Sequence, residues 1–287
     1  MRDIRTLGMV LHPRRESAAA VETILRWAAG RDITVLGLTE EVSRLDCVAV
    51  AVGAEELASR ADLLIGLGGD GTVLRAMRLA DRHQALVLGV NLGKLGFLAE
   101  IDVPDLATAL SAIGDRRYDT EARTALDAVI GSQQFTAFND VVIVRVPGEG
   151  TAEVGLAVEG YHFVSYAADA VIVATPTGST AYNFSAGGPI VAPSIGGILV
   201  TPSSPHSVFN RSIMVDRNHS LSLSVLPHSG RLAVEVDGEI ASYVEPGDTL
   251  AVTARLDAAK VIRFGRTTFY QRTQRKLGIV GATEILP

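Results

Sequence analysis

The stretch Leu63–Thr72, with the sequence LLIGLGGDGT, decides the fold of this chain. Its first half is the strongest candidate for a buried strand, and a helical pattern around Thr72–Asp81 follows the glycine-rich turn at once. A strand, a glycine turn and a helix N-terminus in this order point backbone N–H groups at a common anion site. Asp70 lies inside the turn, so its carboxylate suits a Mg²⁺-bound phosphate or an attacking hydroxyl better than a bare phosphate.

Three interpretations of this turn compete. Gly66–Gly71 fits the letters of the dinucleotide-binding fingerprint, but that motif belongs to a first βα unit, and a long α/β segment precedes the turn here. A P-loop is excluded, because no Gly-Lys-Ser/Thr follows. A tight turn that binds no ligand is the third interpretation, and three glycines and an aspartate in four positions disfavour it.

Short apolar runs on both sides of the turn extend the same pattern. They alternate with helical spacing such as that of Val21–Ala28, and Pro104 predicts a further helix over Asp105–Ile113. Continuous apolar strands that alternate with helices predict a parallel sheet covered on both faces. The candidate strands are Leu7–Leu11, Ile33–Leu38, Cys47–Val52, Leu63–Leu67 and Ala85–Val90.

The pattern changes near Tyr118. From there, short β-branched segments are separated by turn signals such as Pro147-Gly148 and Asp237-Gly238, which is typical of an all-β sandwich. The predicted fold class is therefore α/β plus all-β: an N-terminal Rossmann-like α/β domain and a C-terminal β-sandwich-like domain. The predicted bounds are residues 1–118 and 119–265, and a tail over 266–287, helical over Phe269–Lys276, is expected to pack back on the first domain.

Composition excludes several classes of protein. With 287 residues and 47% hydrophobic content, the chain can bury a sizeable core. The net charge of −6 argues against a nucleic-acid partner, and a single cysteine, Cys47, excludes an internal disulfide and a cysteine-built zinc site. No apolar run is long enough to span a membrane, and Met1–Val10 lacks the features of a secretory signal. We expect a cytoplasmic protein without a membrane partner.

A second polar loop follows the apolar segment Ala170–Ala174. Its sequence, Thr175–Asn183, supplies hydroxyls for hydrogen bonds and an aromatic ring, Tyr182, that could stack on a base. An ordinary Ser/Thr-rich turn explains the loop equally well when it is considered alone. Asn139 and Asp140, ahead of another strand, could bind ribose hydroxyls, although a simple turn explains this pair better on its own.

Taken together, these segments resemble the NAD kinases, ATP-dependent enzymes that phosphorylate the 2′-hydroxyl of NAD on its adenosine ribose. The GGDGT loop alone is also found in lipid and sugar kinases, but its combination with TPTGSTAY and SAGGP at this spacing is specific. The matching segments are Gly68–Thr72, Asn91–Leu98, Asn139-Asp140, Thr175–Tyr182, Ser185–Pro189 and Pro205-His206.

The resemblance implies two domains with a site in the crevice between them, transfer of the γ-phosphate of ATP to NAD to give NADP, and a homo-oligomer, dimer or tetramer. It implies that Asp70 is the catalytic acid/base, and that Mg²⁺ or another divalent cation arrives with ATP, since no metal cage is evident in the sequence. The binding positions that it implies are Gly68, Gly69, Gly71, Thr72, Arg75, Asn139, Asp140, Asp169, Thr180, Ala181, Tyr182 and Ser185.

The chain also departs from the family pattern. Asp140 stands where a glutamate is usual, and Ala167 and Ala170 stand where many members carry a basic residue and a glycine. A catalytically weak dinucleotide-binding paralogue and a lipid or sugar kinase therefore stay open as alternatives, as does polyphosphate in place of ATP.

Overall fold

The computed structural model describes residues 3–45, 47–93 and 96–279, which form two compact units. Unit 1 contains the residues up to Ala122 together with those from Ala259 onward, and unit 2 contains Arg123–Ala258. The sequence predicts boundaries at 118/119 and 265/266, whereas the structure divides the chain at 122/123 and 258/259. Both divisions fall inside long strands, so no turn residue marks them in the sequence.

Unit 1 alternates strands and helices. A 3-10 turn, Val103–Asp105, precedes the fifth helix, and a last helix follows the return of the chain from unit 2. The elements of the first part are β1 (Thr6–Leu11), α1 (Ala18–Ala29), β2 (Thr34–Leu38), α2 (Thr39–Leu45), β3 (Val50–Val52), α3 (Ala54–Arg60), β4 (Leu63–Gly68), α4 (Asp70–Ala80), β5 (Leu86–Asn91), β6 (Ile101–Asp102) and α5 (Leu106–Gly114).

Unit 2 consists almost entirely of strands. Its helical part is a 3-10 turn, Gly178–Thr180, followed by one short helix. The elements are β7 (Asp119–Ile130), β8 (Gln133–Ala137), β9 (Asp140–Arg145), β10 (Ala152–Val158), β11 (Tyr161–Ala168), β12 (Ala170–Ala174), α6 (Tyr182–Ser185), β13 (Ile198–Ser203), β14 (Ile213–Val215), β15 (Leu221–Val225), β16 (Leu232–Val236), β17 (Glu239–Val244) and β18 (Thr249–Arg263), and β7 and β18 each extend into unit 1.

The strands of the unit 1 sheet are parallel, and the direction in which the chain adds new strands reverses at the centre of the sheet. The strand order is β3-β2-β1-β4-β5, and β6 and the end of β18 both pair with β5. The chain adds β2 and β3 on one side of β1 and then β4 and β5 on its other side. The carboxyl ends of β1 and β4 therefore form the switch point where open α/β sheets bind ligands. The segments that follow these two strands are therefore the first place to look for a site.

The core of unit 1 confirms the predicted α/β class. All of β4 and nearly all of β1 are buried, and alternate residues of the two strands share one cluster with Val21 and Ile24 of α1, which are spaced for one helix face. The predicted helix after Pro104 is present as α5, which buries Leu110 and Ile113 in the same cluster.

Unit 2 confirms the predicted all-β class. One antiparallel sheet has the order β14-β13-β12-β9-β16-β17, and a second set of strands runs β11-β10-β15-β18. Alternate residues from both sets, among them Val171, Val234, Leu156 and Leu223, belong to one buried cluster. Two antiparallel layers that share an apolar core are the arrangement of a β-sandwich.

The predicted C-terminal helix is present as α7 (Phe269–Leu277) and belongs to unit 1. It begins with a capping box between Thr268 and Gln271 and ends at Gly278, whose positive φ suits glycine. The remainder of the predicted tail, 280–287, lies outside the described residues. No helix in the described part of the chain is both long and apolar enough to cross a membrane.

Candidate functional site

The turn after β4 brings glycine backbone and a carboxylate to the beginning of α4. Gly69 is the N-cap of the helix and Asp70 is its first residue. A Cβ on Gly68 would lie only 2.2 Å from Thr72 Oγ1, so the turn closes this tightly only with glycine at that position. The N–H groups of Asp70 and Gly71 have no partner within the helix and are therefore available to an anion, whereas Thr72 and Val73 donate theirs to the carbonyl of Gly69, at 3.0 and 3.2 Å.

The Asp70 carboxylate is held in a defined orientation by a neighbouring loop. Its Oδ2 accepts a hydrogen bond from the N–H of Phe97 and its Oδ1 accepts one from the N–H of Leu98, both at 3.0 Å. A Cβ on Gly96 would lie 2.1 Å from Oδ1, so glycine at this position leaves room for the carboxylate. Each carboxylate oxygen keeps a second lone pair, which can still accept a proton or a hydrogen bond from a substrate.

Arg15, which the sequence analysis does not single out, lies at the same switch point. It is on the segment after β1, and its guanidinium is next to two glycines: a Cβ on Gly93 would be 2.9 Å from Nη1 and one on Gly69 would be 3.6 Å away. Nη1 is covered from solvent and has no hydrogen-bond partner among the described residues. A covered guanidinium nitrogen without an acceptor, next to the glycine turn, suits an anionic ligand.

Two side chains hold the segment that carries Arg15. His12 Nδ1 accepts hydrogen bonds from the N–H groups of Arg14 and Arg15, both at 3.1 Å, and Arg44 donates to the carbonyls of His12 and Pro13. Burial, and then the neighbouring arginines, lower the pKa of His12, which favours the neutral ring that can accept at Nδ1. Hydrophobic periodicity does not predict these polar contacts. The one sequence feature that points to a site here is the His-Pro-Arg-Arg run directly after the first strand.

The structure places Arg75 against acceptors of its own unit. It forms an ion pair with Glu41 of α2 and donates to the carbonyl of Leu11 at 2.6 Å, and Glu41 also accepts the N–H of Leu11 at 2.7 Å. These bonds attach the end of β1 to α2 and α4. Arg75 thus has a clear structural task, and its role towards a ligand stays a prediction.

In unit 2 the beginning of β9 meets the loop after β12. Asp140 pairs with Ala174 across the two strands. Thr175 donates its N–H to the carbonyl of Asn139, at 2.9 Å, and its hydroxyl to the carbonyl of Phe138, at 2.6 Å. The Asp140 carboxyl also accepts a hydrogen bond from the backbone N–H of Tyr182. The structure therefore brings together two segments, Asn139-Asp140 and Thr175–Tyr182, that are distant in sequence.

Asp237 fixes this junction, although in the sequence it reads only as a turn residue. Its carboxylate accepts hydrogen bonds from the N–H groups of Phe138, Asn139 and Asp140, at 2.7–3.3 Å. The turn that carries it has a positive φ at both Asp237 and Gly238. Three backbone donors on one carboxylate hold the Asn139-Asp140 pair in place.

The polar loop itself is only partly available to a ligand. Ser179 and Asn183 are fully buried and form internal hydrogen bonds to Val191, Pro189 and Thr201. The predicted ligand positions with exposed surface in this loop and its helix are Thr180, Ala181, Tyr182 and Ser185. The hydroxyls thus divide into a structural set and a set that faces solvent.

Asp169 directly precedes β12, at the end opposite the polar loop, and Ala167 lies in β11. Asp169 is exposed, and a hydrogen bond and ion pair with Arg145, at 2.6 Å, lower the pKa of its carboxyl. The N–H of Ala167 donates to Ser207 Oγ at 2.8 Å. Neither contact tests the ligand role that the resemblance gives to Asp169.

Burial first, then the negative charges of Asp237 and Glu235, raise the pKa of Asp140 from 3.8 to about 7. The side chain is 4% exposed. Because the folded state favours the protonated acid, the unfolded state releases the proton first as the pH rises. The free energy of unfolding therefore falls between pH values near 4 and near 7, and one pKa unit corresponds to about 1.4 kcal/mol.

We therefore expect Asp140→Asn to remove much of this pH dependence. Wild-type protein should lose more stability between pH 5 and pH 8 than the variant, by on the order of a few kcal/mol, because the amide carries no charge into the buried site. Urea unfolding at the two pH values measures it. Asp169→Asn is the matched control, since that exposed carboxylate titrates below this range; parallel curves for wild type and Asp140→Asn would contradict the expectation.

The described residues contain no group of three or more histidine, cysteine, aspartate or glutamate side chains that could hold a metal ion.

Comparison with known proteins identifies the family. The sequence profile of the ATP-NAD kinase N-terminal domain matches residues 16–118, and that of the ATP-NAD kinase C-terminal domain matches residues 138–264. The chain belongs to the ATP-NAD kinase family. It is 34% identical to NAD kinase 1 of Streptomyces avermitilis over 97% of this chain and 88% of that protein. It is 36% identical to the NAD kinase of Heliobacterium modesticaldum over 95% of this chain and 98% of that protein.

Solved structures of the family share the fold. A yeast NADH kinase complexed with NADH superposes with a TM-score of 0.88 at 24% identity, covering 100% of this chain and 91% of that one. An NAD kinase from Archaeoglobus fulgidus in complex with ATP gives a TM-score of 0.75 at 21% identity, covering 96% and 100%. The family is one of phosphotransferases, so this chain is an enzyme of that class, and the weak paralogue and the lipid or sugar kinase are not favoured.

Proposed function

We propose that this chain transfers the γ-phosphate of ATP to the 2′-hydroxyl of the adenosine ribose of NAD, giving NADP and ADP. The observation that carries the proposal is the Asp70 carboxylate at the glycine turn, oriented by two backbone N–H groups and with acceptor capacity to spare. Membership of the family supports the substrates, as do the NADH and ATP complexes of its structural neighbours.

The chemistry needs little more than position and charge neutralisation. The bond from O2′ of the ribose to the γ-phosphorus forms as the bond to the β,γ-bridging oxygen breaks, and the hydroxyl proton passes to a free lone pair of Asp70. Because the transition state of phosphoryl transfer is loose, the proton moves late, and the orientation of Asp70 matters more than forceful deprotonation. Mg²⁺ or another divalent cation enters as part of the ATP complex, where it offsets the phosphate charge.

We assign the donor phosphates to the switch point of unit 1. Gly69 and Gly71 offer backbone N–H groups there, and Arg15 adds the guanidinium nitrogen that has no partner among the described residues. Gly68 and Thr72 shape the turn, because Thr72 packs against Gly68 and donates its N–H to the carbonyl of Gly69. Polyphosphate offers the same phosphate chemistry without a base, so this end of the site would accept either donor.

Arg15→Gln is expected to raise the KM for ATP about tenfold and to leave the KM for NAD nearly unchanged. A hydrogen bond to a charged group contributes roughly 1.5–3 kcal/mol, and about 1.4 kcal/mol is tenfold. Steady-state kinetics with each substrate varied in turn measure this difference. Arg14→Gln is the matched control, since it removes the same charge from the same segment at an exposed position. Equal effects of the two substitutions would show that Arg15 acts only through the overall field.

We assign the dinucleotide to unit 2, where Asn139, Thr180, Ala181, Tyr182 and Ser185 present exposed surface at one junction. Asn139 and the hydroxyls can hydrogen-bond ribose, and the half-buried ring of Tyr182 can stack on a base. Asp140 contributes through the Tyr182 N–H that it accepts. We assign Asp169 to the dinucleotide site as well, and this assignment rests on the resemblance alone.

One assay tests the function as a whole. Purified protein with ATP, Mg²⁺ and NAD should form NADP, detected by a dehydrogenase specific for NADP. Parallel reactions with a diacylglycerol, with sphingosine and with a sugar phosphate should give no phosphorylated product. Binding of NAD without turnover would instead identify a non-catalytic regulator and would contradict the proposal.

We also propose that the protein is a homo-oligomer and acts in the cytoplasm. Unit 2 exposes an aromatic group in which Phe163 and Phe209 meet edge to face at 5.9 Å, and Tyr161, 75% exposed, lies on the same strand as Phe163. Such a patch suits a second copy of the chain, and light scattering would give the subunit number. The single thiol of Cys47 fits a reducing compartment.

A further inference from the structure

A buried charge cluster links the C-terminal helix to the loop that orients Asp70. Arg272 of α7 is 6% exposed. Its Nη1 donates to the carbonyls of Phe97, at 3.1 Å, and Ala99, at 2.6 Å, and its Nη2 donates to Glu100 Oε2 at 3.0 Å. One guanidinium therefore holds three acceptors of the segment 97–100.

Glu100 completes the cluster from the loop side. Its side chain is 2% exposed and also accepts Arg263 Nη1 at 2.8 Å and the N–H of Phe264 at 2.9 Å. With two guanidinium groups and a backbone donor, the buried carboxylate has the partners that burial requires. The segment Phe97–Glu100 is thus fixed in position by Arg263, the last residue of β18, and by residues that follow it.

The peptide group between Phe97 and Leu98 connects this cluster to Asp70. Its carbonyl oxygen accepts from Arg272, and its N–H, which belongs to Leu98, donates to Asp70 Oδ1. Because a trans peptide is planar and rigid, the carbonyl and the N–H point in opposite directions. Arg272 and Asp70 therefore lie on opposite sides of one peptide plane, and a change in the tilt of that plane at one side moves the donor at the other.

We propose that Arg272 is a positioning residue for Asp70, acting through the Phe97–Leu98 peptide group. The inference rests on the proposed function, since it gives Asp70 the catalytic role. The hydrogen bond from Arg272 polarises the peptide and strengthens the N–H that faces the carboxylate, as in other hydrogen-bond chains. A displacement of about 1 Å in a reacting group costs up to about a hundredfold in rate, so the tilt of this peptide matters for turnover.

The experiment compares Arg272→Gln and Arg272→Lys with wild type in the full-length protein. Both should lower kcat, by about tenfold or more for Gln, while the KM values for ATP and NAD change less than twofold. Lysine keeps the charge but cannot hold two carbonyls and a carboxylate in one plane, so it should rescue only part of the loss. Thr273→Ala is the matched control: Thr273 is equally buried on α7, and among the described residues its hydroxyl donates to the carbonyl of Phe269.

A pH profile separates positioning from general destabilisation. Hydrogen bonds from N–H groups to a carboxylate lower its pKa. If Arg272→Lys loosens the Leu98 N–H, the acidic limb of the kcat profile should move to higher pH. Thr273→Ala should leave that limb in place even if it lowers the melting temperature. An unmoved limb in Arg272→Lys with a lowered kcat would count against the proposal.

A double-mutant cycle with Asp70→Asn decides the matter. Where Asp70 has already lost its carboxylate, adding Arg272→Lys should change the residual turnover less than twofold. Multiplicative losses would overturn the positioning role. If Asp70→Asn itself keeps near-normal turnover, the proposed role of Asp70 fails instead, so the two failures are distinguishable.

Discussion

Asp70→Asn is expected to lower kcat by on the order of a hundredfold or more while dinucleotide binding survives. The carboxylate lies at the beginning of α4, next to the glycine turn to which we assign the donor phosphates, and it is the group that we propose accepts the hydroxyl proton. The amide cannot accept that proton. It also has one acceptor oxygen where the carboxylate has two, so the N–H of either Phe97 or Leu98 loses its partner.

Two measurements make this result specific to the chemistry. Dinucleotide affinity and the melting temperature of Asp70→Asn should stay close to the wild-type values. Asp105→Asn is the control, because Asp105 is the N-cap of α5 in the same unit and pairs with Arg266 at 2.8 Å. It should keep nearly full turnover. Near-normal turnover in Asp70→Asn would refute the assignment of Asp70 as the proton acceptor.

Gly178→Ala is expected to abolish most dinucleotide binding and to destabilise unit 2. A Cβ on Gly178 would lie 2.0 Å from the carbonyl oxygen of Asn139 and 2.5 Å from its carbon, so the strand or the loop must move. Overpacking of this kind costs roughly 1–3 kcal/mol. The movement also breaks the contact between Asn139 and Thr175, which is the junction that we assign to NAD. We expect a rise of at least about tenfold in the Kd for NAD, measured by calorimetry.

Gly155→Ala provides the comparison for this substitution. Gly155 lies in β10 of the same unit. The atom nearest to a Cβ at this position would be the methyl carbon Cδ2 of Leu226, at 3.3 Å, and that side chain can rotate away. The control should bind NAD with wild-type affinity. Equal losses of affinity in the two variants would mean that the close approach of Gly178 to Asn139 is not what holds the dinucleotide site together.

Local sequence was sufficient to predict the strand-turn-helix at Leu63–Ala80, because apolar periodicity and glycine act within a few residues. Helix α2 escaped prediction: TEEVSRL buries only Glu41 and Val42, so it carries no apolar stripe. The boundaries between the units differ from those predicted for a related reason. The strands that cross them, β7 and β18, continue as regular strands on both sides.

The supporting residues of the site could not be predicted because their contacts are long-range and polar. Glu41 and Arg75 are 34 residues apart, and Arg272 and Ala99 are 173 apart. Hydrophobic patterns record which face of an element is buried, and they carry no information about which buried charge meets which carbonyl. Asp237 shows both cases. Its place in a turn can be predicted from the neighbouring residues, whereas its hydrogen bonds from the N–H groups of Phe138–Asp140 cannot.

The return of the chain to unit 1 has a consequence for protein synthesis. The ribosome releases Asp70 and the Phe97–Glu100 loop early, but α7 leaves it only after all of unit 2 has been made. Until then the Glu100 carboxylate lacks Arg272, one of the two guanidinium groups that compensate its burial. We expect a nascent chain to hold a loosely ordered catalytic turn, and a transcript truncated before Phe269 to yield protein without turnover. Competence for catalysis would then depend on the synthesis of α7.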